Sequence, residues 1–287
     1  MNRPESLRLP IGIVLTILFL SACGPSAVVS SSATLTLEPP IPTSTSIPAA
    51  ASPTSPPTTE AQEWDYVAIG ESITVGMTHR YSKILEQDLG VTIVFHDWQF
   101  PNAHSSNLLE KLRSNEQLRQ DLQEVEVITL NIPLGIIASA MRTYAFGEPG
   151  DCGGVDNQDC IQEAFSIYMT DTEEIIAEIV SLRRPSEALI RIMDTWQLKV
   201  RETKETGSFE MYNAYWREAN DHIVEVATSY GIPVARIFDA FMGEDGVEDP
   251  RDLGLVGSDG LHPIQDGIDL MAEIFRNLGY DYAVDSP

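Results

Sequence analysis

Gly70-Glu71-Ser72-Ile73-Thr74-Val75-Gly76 stands between a short apolar run, Tyr66-Val67-Ala68-Ile69, and a helical pattern through Met77, Tyr81, Ile84, Leu85 and Leu89. An unbroken apolar run bounded by turn residues suits a strand buried on both faces, and the three-to-four-residue recurrence after it suits an amphipathic helix. The junction therefore predicts a strand, a turn and a helix, with Ser72 at the carboxyl end of the strand. That is where open α/β sheets bind their ligands.

The same alternation continues along the chain. Apolar runs at Val91 to Phe95, Val125 to Ile132, Ala188 to Met193 and Ile232 to Ile237 interleave with helical patterns near 74–89, 105–121, 159–183, 209–230 and 264–278. Strands that alternate with helices predict a parallel sheet covered on both faces, a three-layer α/β/α domain. The stretch from Ile137 to Asp159 reads as an insertion beside the expected cleft.

A second segment, Asp259-Gly260-Leu261-His262-Pro263, precedes Ile264, Ile268, Met271, Ala272 and Phe275 at helical spacing, with Pro263 at a plausible first helical position. With three residues from aspartate to histidine, one loop presents both side chains to one cleft. A serine hydroxyl is a poor nucleophile at neutral pH and needs a base to take its proton, with a third group to orient that base. Ser72, His262 and Asp259 are the candidates. Each segment also has a structural reading, because serine caps helices, Asp-Gly forms turns and proline starts helices.

At these residues the chain resembles the SGNH hydrolases, also called GDSL-type esterases and lipases. The resemblance spans roughly residues 64–280 and implies a flavodoxin-like arrangement of five parallel strands. The family's Gly-Asp-Ser block reads Gly70-Glu71-Ser72 here, and its late Asp-x-x-His block matches Asp259 to His262, with Pro263 and Gly267 following. The resemblance implies catalysis by Ser72, His262 and Asp259 with no required metal or cofactor. It also implies an oxyanion hole built from the Ser72 amide, a glycine amide after the second strand and an asparagine in a Gly-x-Asn-Asp block after the third. Phe100-Pro101-Asn102-Ala103-His104-Ser105 puts Asn102 where the glycine is expected, and Pro133-Leu134-Gly135-Ile136 replaces Gly-x-Asn-Asp. The amides of Ser72 and Asn102 are thus expected donors, and Gly135, Asn131 and His104 are the nearby candidates to replace the missing one.

The first 22 residues carry Arg3 and Arg8, then an apolar run from Ile11 to Leu20, then Leu20-Ser21-Ala22-Cys23. This pattern predicts a secretory signal, its apolar stretch shorter than a bilayer span requires. Leu-Ser-Ala-Cys resembles a bacterial lipobox, which implies cleavage before Cys23 and its lipidation, and so a lipid-anchored protein of the cell envelope outside the cytoplasm. Residues 23–62 are dominated by Ser, Thr, Pro and Ala with only Glu38 and Glu60 charged, which predicts a disordered tether. Residues 63–287 form the expected hydrolase-like domain.

Loss of the signal would leave 16 basic against 42 acidic residues. Long-range repulsion then disfavours nucleic acid and anionic membrane as partners, leaving the lipid anchor as the membrane attachment. Cys152 and Cys160 flank a run of small, turn-forming residues, and an exported chain can hold them as a disulfide. The acidic residues around them leave a metal site as the competing reading. The function expected overall is ester hydrolysis on a lipid, glycan or small-molecule ester. The alternative is a catalytically weak or inactive surface lipoprotein that binds glycan or another ligand.

Overall fold

Tyr66, Val67, Ala68 and Ile69 are at most 1% exposed, the burial expected of a central strand of a covered parallel sheet. In the computed structural model, which describes residues 62–147 and 150–282, they form the core of β1 (Glu63–Gly70). The expected signal peptide, Cys23 and all but the last residue of the tether lie outside the described residues. After β1 come α1 (Val75–Leu89), β2 (Thr92–Gln99), α2 (Ser105–Ser114), α3 (Glu116–Glu124) and β3 (Val127–Leu130). The chain continues with α4 (Gly135–Phe146), α5 (Asp159–Leu182), β4 (Leu189–Met193), α6 (Val200–Glu205) and α7 (Phe209–Ser229). It ends with β5 (Val234–Ala235), α8 (Ile237–Met242) and α9 (Gln265–Asn277).

The five strands pair in the order β2-β1-β3-β4-β5, all parallel. The expected three-layer α/β/α fold is therefore present, with the strand order of the flavodoxin-like sheet. The path steps one way from β1 to β2 and then crosses back past β1 to β3. Right-handed crossovers consequently put α1 on one face and the helices between β2 and β5 on the other. The reversal leaves a crevice at the carboxyl ends of β1 and β3, the switch point at which such sheets bind ligands.

Some boundaries differ from expectation for local reasons. The helix expected over 105–121 is two helices, broken where Asn115 adopts an extended backbone and its side chain accepts from the Leu118 amide at 3.1 Å, capping α3. β5 is short because the buried Asp194 takes the chain out of the ladder. Its carboxylate accepts from the Phe238 amide and from Arg236 Nε, both at 2.8 Å, and α8 starts there. The expected insertion contains α4, and Cys152 is disulfide-bonded to Cys160 just before α5 and at its start.

α1 and α9 lie side by side and parallel. Ion pairs join Arg80 to Asp269 at 2.7 Å and Asp88 to Arg276 at 2.8 Å, and between them the Tyr81 and Phe275 rings sit 5.5 Å apart. Close approach at the start of this pair depends on glycine, since a Cβ on Gly76 would meet the Ile268 side chain at 2.5 Å. At the head of α9 a Cβ on Gly267 would lie 2.1 Å from the Leu255 carbonyl, which is backbone and cannot swing aside. Gly267→Ala is expected to lower stability by about 1–3 kcal/mol, the range for overpacking. A denaturation midpoint unchanged in urea would contradict this packing.

Candidate active site

β1 ends where three strands are tied together. The Phe100 amide after β2 donates to the Gly70 carbonyl at 2.7 Å, and the Asn131 amide after β3 donates to the Ile69 carbonyl at 2.9 Å. The chain then turns: both the amide and the hydroxyl of Thr74 donate to the Glu71 carbonyl, at 3.0 and 2.9 Å, which holds Ser72 in the turn at the head of α1.

His262 reaches this turn from the loop before α9. Its Nε2 lies 3.0 Å from Ser72 Oγ, and its Nδ1 lies 2.6 Å from Asp259 Oδ2. The three residues chosen from sequence are thus joined in one hydrogen-bonded line. Asp259 Oδ1 also accepts from the amides of Leu261 and His262, at 2.9 and 3.1 Å. Burial opposes its charge, but these bonds outweigh that effect and hold the carboxyl at about 2. It therefore stays ionised at neutral pH and favours a proton on the facing Nδ1, leaving Nε2 to accept from the serine. About half of each of the His262 and Asp259 side chains is exposed, so the line is open to solvent.

The loop carrying Asp259 and His262 is braced from beneath. Gly257 donates to the His262 carbonyl at 2.8 Å, and Ile264 donates to the Leu255 carbonyl at 3.0 Å. Lys199 donates through its amide to the Gly260 carbonyl at 3.1 Å and through Nζ to the Asp259 carbonyl. Arg251, nearly buried, makes a fork of bonds to Glu202 at 2.9 and 2.8 Å and a second to Asp249, tying the loop to α6. None of these supports was singled out from sequence, because their spacing matches no recurring local pattern.

The groups considered for an oxyanion hole are placed differently from one another. Among the described residues neither the Ser72 nor the Asn102 amide donates to another protein group. Asn102 is in the left-handed region at φ 58°, which favours glycine and, among other residues, asparagine. Gly135 has its amide bound to the Ala103 carbonyl at 2.9 Å, and a Cβ there would lie 2.3 Å from that oxygen. Its glycine therefore lets two loops touch. Asn131 is buried, with Nδ2 donating to Thr195 Oγ1 at 3.2 Å, and His104 is exposed at the head of α2.

Glu71, the departure from Gly-Asp-Ser, is buried and accepts from the Leu134 amide at 3.0 Å, so its longer side chain fastens the turn of Ser72 to the loop entering α4. Burial pushes its carboxyl up to about 7, against the opposing effects of the Leu134 amide and the His262 charge. An unfolded glutamate loses its proton near 4.5. Between that pH and 7 the folded chain keeps a proton the unfolded chain has released, so this group's contribution to stability falls as pH rises. Glu71→Gln keeps the acceptor without the charge. Relative to wild type it is expected to gain on the order of 3 kcal/mol between pH 5 and pH 8. Urea unfolding of both proteins at the two pH values measures this, and a pH-independent difference would contradict the assignment.

No protein-family model matches the chain, and no curated protein matches it at a significant level. Solved structures do. The lipase Lip_vut3 from a goat rumen metagenome superposes with a TM-score of 0.61 at 19% identity, over 76% of this chain and 98% of its own. Axe2, an acetylxylan esterase from Geobacillus stearothermophilus, gives 0.53 at 13% identity over 79% of this chain and 99% of its own. LAE5, an alpha/beta hydrolase enzyme from the metagenome of Lake Arreo, Spain, gives 0.50 at 13% over 76% and 95%. At these identities the likeness establishes what the strand order already indicates: this chain shares with those enzymes the α/β fold of a five-stranded parallel sheet flanked by helices.

Proposed function

We propose that the chain is a serine hydrolase of carboxylic esters, and the observation that supports this reading most is the line from Ser72 through His262 to Asp259. Ser72 Oγ attacks the acyl carbonyl carbon as His262 Nε2 takes the hydroxyl proton, and Asp259 stabilises the resulting imidazolium. The tetrahedral oxyanion is held by the amides of Ser72 and Asn102. The intermediate collapses as His262 returns the proton to the leaving alcohol, giving an acyl-Ser72 ester. Water, deprotonated by His262, then adds to that ester, and the second tetrahedral intermediate collapses as the C–O bond to Ser72 breaks, His262 returns the proton to Ser72 Oγ and the carboxylic acid departs. Lip_vut3 and Axe2, named as lipase and acetylxylan esterase, share the fold and are consistent with ester chemistry. The amino-terminal pattern adds a lipid anchor at Cys23 and a site outside the cytoplasm.

A second reading has one specific observation in its favour. Asparagine is missing from the usual block, Asn131 Nδ2 donates to Thr195 and the Gly135 amide to Ala103, and the amides of Ser72 and Asn102 remain. Losing one oxyanion donor costs about 10²- to 10³-fold in rate, which slows an enzyme without abolishing it. A surface protein that binds glycan on an idle hydrolase scaffold would instead show tight binding and no turnover.

Hydrolysis of p-nitrophenyl esters separates the two. Ser72→Ala is expected to lower kcat about 10⁶-fold with little change in melting temperature, and Asp259→Asn to lower it about 10⁴-fold. Ester cleavage retained in Ser72→Ala would sink the assignment.

A further inference from the structure

A cleft of about 360 Å³ runs between α4 on one side and α6 and the start of α7 on the other. Ala138, Met141 and Phe146 form one wall, and Leu198, Tyr212 and Leu261 face them. The Tyr212 hydroxyl is itself buried, so this residue offers ring carbon to the cleft. The charged residues on the rim are Arg142, Lys199 and Glu202, the last two engaged by the Asp259 carbonyl and by Arg251, and the hydroxyls of Thr203, Thr206 and Ser208 are bonded within the protein. A sugar placed here would leave most of its hydroxyls unpaired, which is costly, whereas a hydrocarbon chain loses nothing.

No triad residue lines the cleft, but the chain ties it to the triad at two points. Leu261 immediately precedes His262, and its amide donates to Asp259. α4 grows from Leu134, whose amide is held by the residue before Ser72. We propose that this cleft is the acyl-chain subsite and that the preferred substrates are esters of unbranched apolar acids of about six to ten carbons. At about 30 Å³ for each water-sized group, 360 Å³ admits on the order of ten methylenes. An acetyl group would leave it empty. The alcohol departs over the solvent-open side of His262, and the acyl chain lies along α4, which leads away from the loop beside the oxyanion amides. This assignment rests on the serine-esterase reading, and the Phe146 ring, 86% exposed, marks the outer end.

The test separates binding from chemistry. Methyl esters of acetic, hexanoic, octanoic and decanoic acid are titrated into Ser72→Ala, which cannot turn them over. The dissociation constant is expected to fall about fourfold per added methylene up to octanoate, the equivalent of about 0.8 kcal/mol each. In the Ser72→Ala background Met141→Trp fills the cleft, and Ala145→Trp obstructs it from an exposed position that folding tolerates. Each is expected to cut the octanoate-over-acetate preference at least tenfold. A dissociation constant independent of chain length, or a preference unchanged in both tryptophan variants, overturns the proposal. Octyl acetate gaining as much as methyl octanoate overturns it too, by putting the chain on the alcohol side. Chain-dependent binding with no turnover of any p-nitrophenyl ester by the wild-type protein supports the cleft and overturns the esterase reading. Turnover fastest with acetate overturns the acyl assignment and leaves the esterase standing.

Discussion

The parallel packing of α1 on α9 is the constraint on which the candidate site depends. Ser72 lies in the turn that starts α1, and His262 lies in the loop that starts α9, 190 residues later. Two helices that run side by side in the same direction bring their starts together. Gly76 allows the close contact near their heads, the Arg80–Asp269 and Arg276–Asp88 pairs set the register, and Gly267 lets α9 begin directly against the Leu255 carbonyl. The 3.0 Å between Ser72 Oγ and His262 Nε2 follows from this packing together with the Lys199 and Arg251 bonds that brace the His262 loop.

Electrostatics then divides the site into a wet half and a dry half. Asp259 and His262 are half-exposed, and despite partial burial the Asp259 carboxylate is kept ionised by the bond from the His262 ring and by the Leu261 and His262 amides. Glu71 is buried behind Ser72 and is pushed the other way, so two carboxyls near one histidine differ by several units because one collects hydrogen bonds and the other mainly loses water. Through the Leu134 amide the buried Glu71 carboxyl is tied to the loop that enters α4. That helix begins at Gly135, where the chain reads Pro133-Leu134-Gly135-Ile136, and its Ala138, Met141 and Phe146 line the cleft.

Much of this was legible in the sequence, and the reason differs by element. β1, α1 and α9 announce themselves through unbroken or strictly periodic apolar residues, because a buried parallel strand and a two-sided helix each leave a local record. Ser72, Asp259 and His262 were legible because they sit on short turns with restricted residue choice, and the structure joins the three by hydrogen bonds. β5 was overestimated, since the capture of its chain by Asp194 is a contact with a residue 42 positions away from Arg236 and leaves no periodic trace. The Arg251–Glu202–Asp249 clamp and Lys199 were invisible for the same reason. Gly135 was read as a possible donor, yet its need for glycine comes from a tertiary approach to Ala103 that the sequence does not display.

The most direct test of the central claim is reaction of the purified protein with a fluorophosphonate, which attaches covalently only where a base activates a serine hydroxyl. Labelling is expected at Ser72 and is expected to be lost in His262→Ala while that variant remains folded. Labelling that persists without His262, or a well-folded wild-type protein that takes up no label, would contradict it.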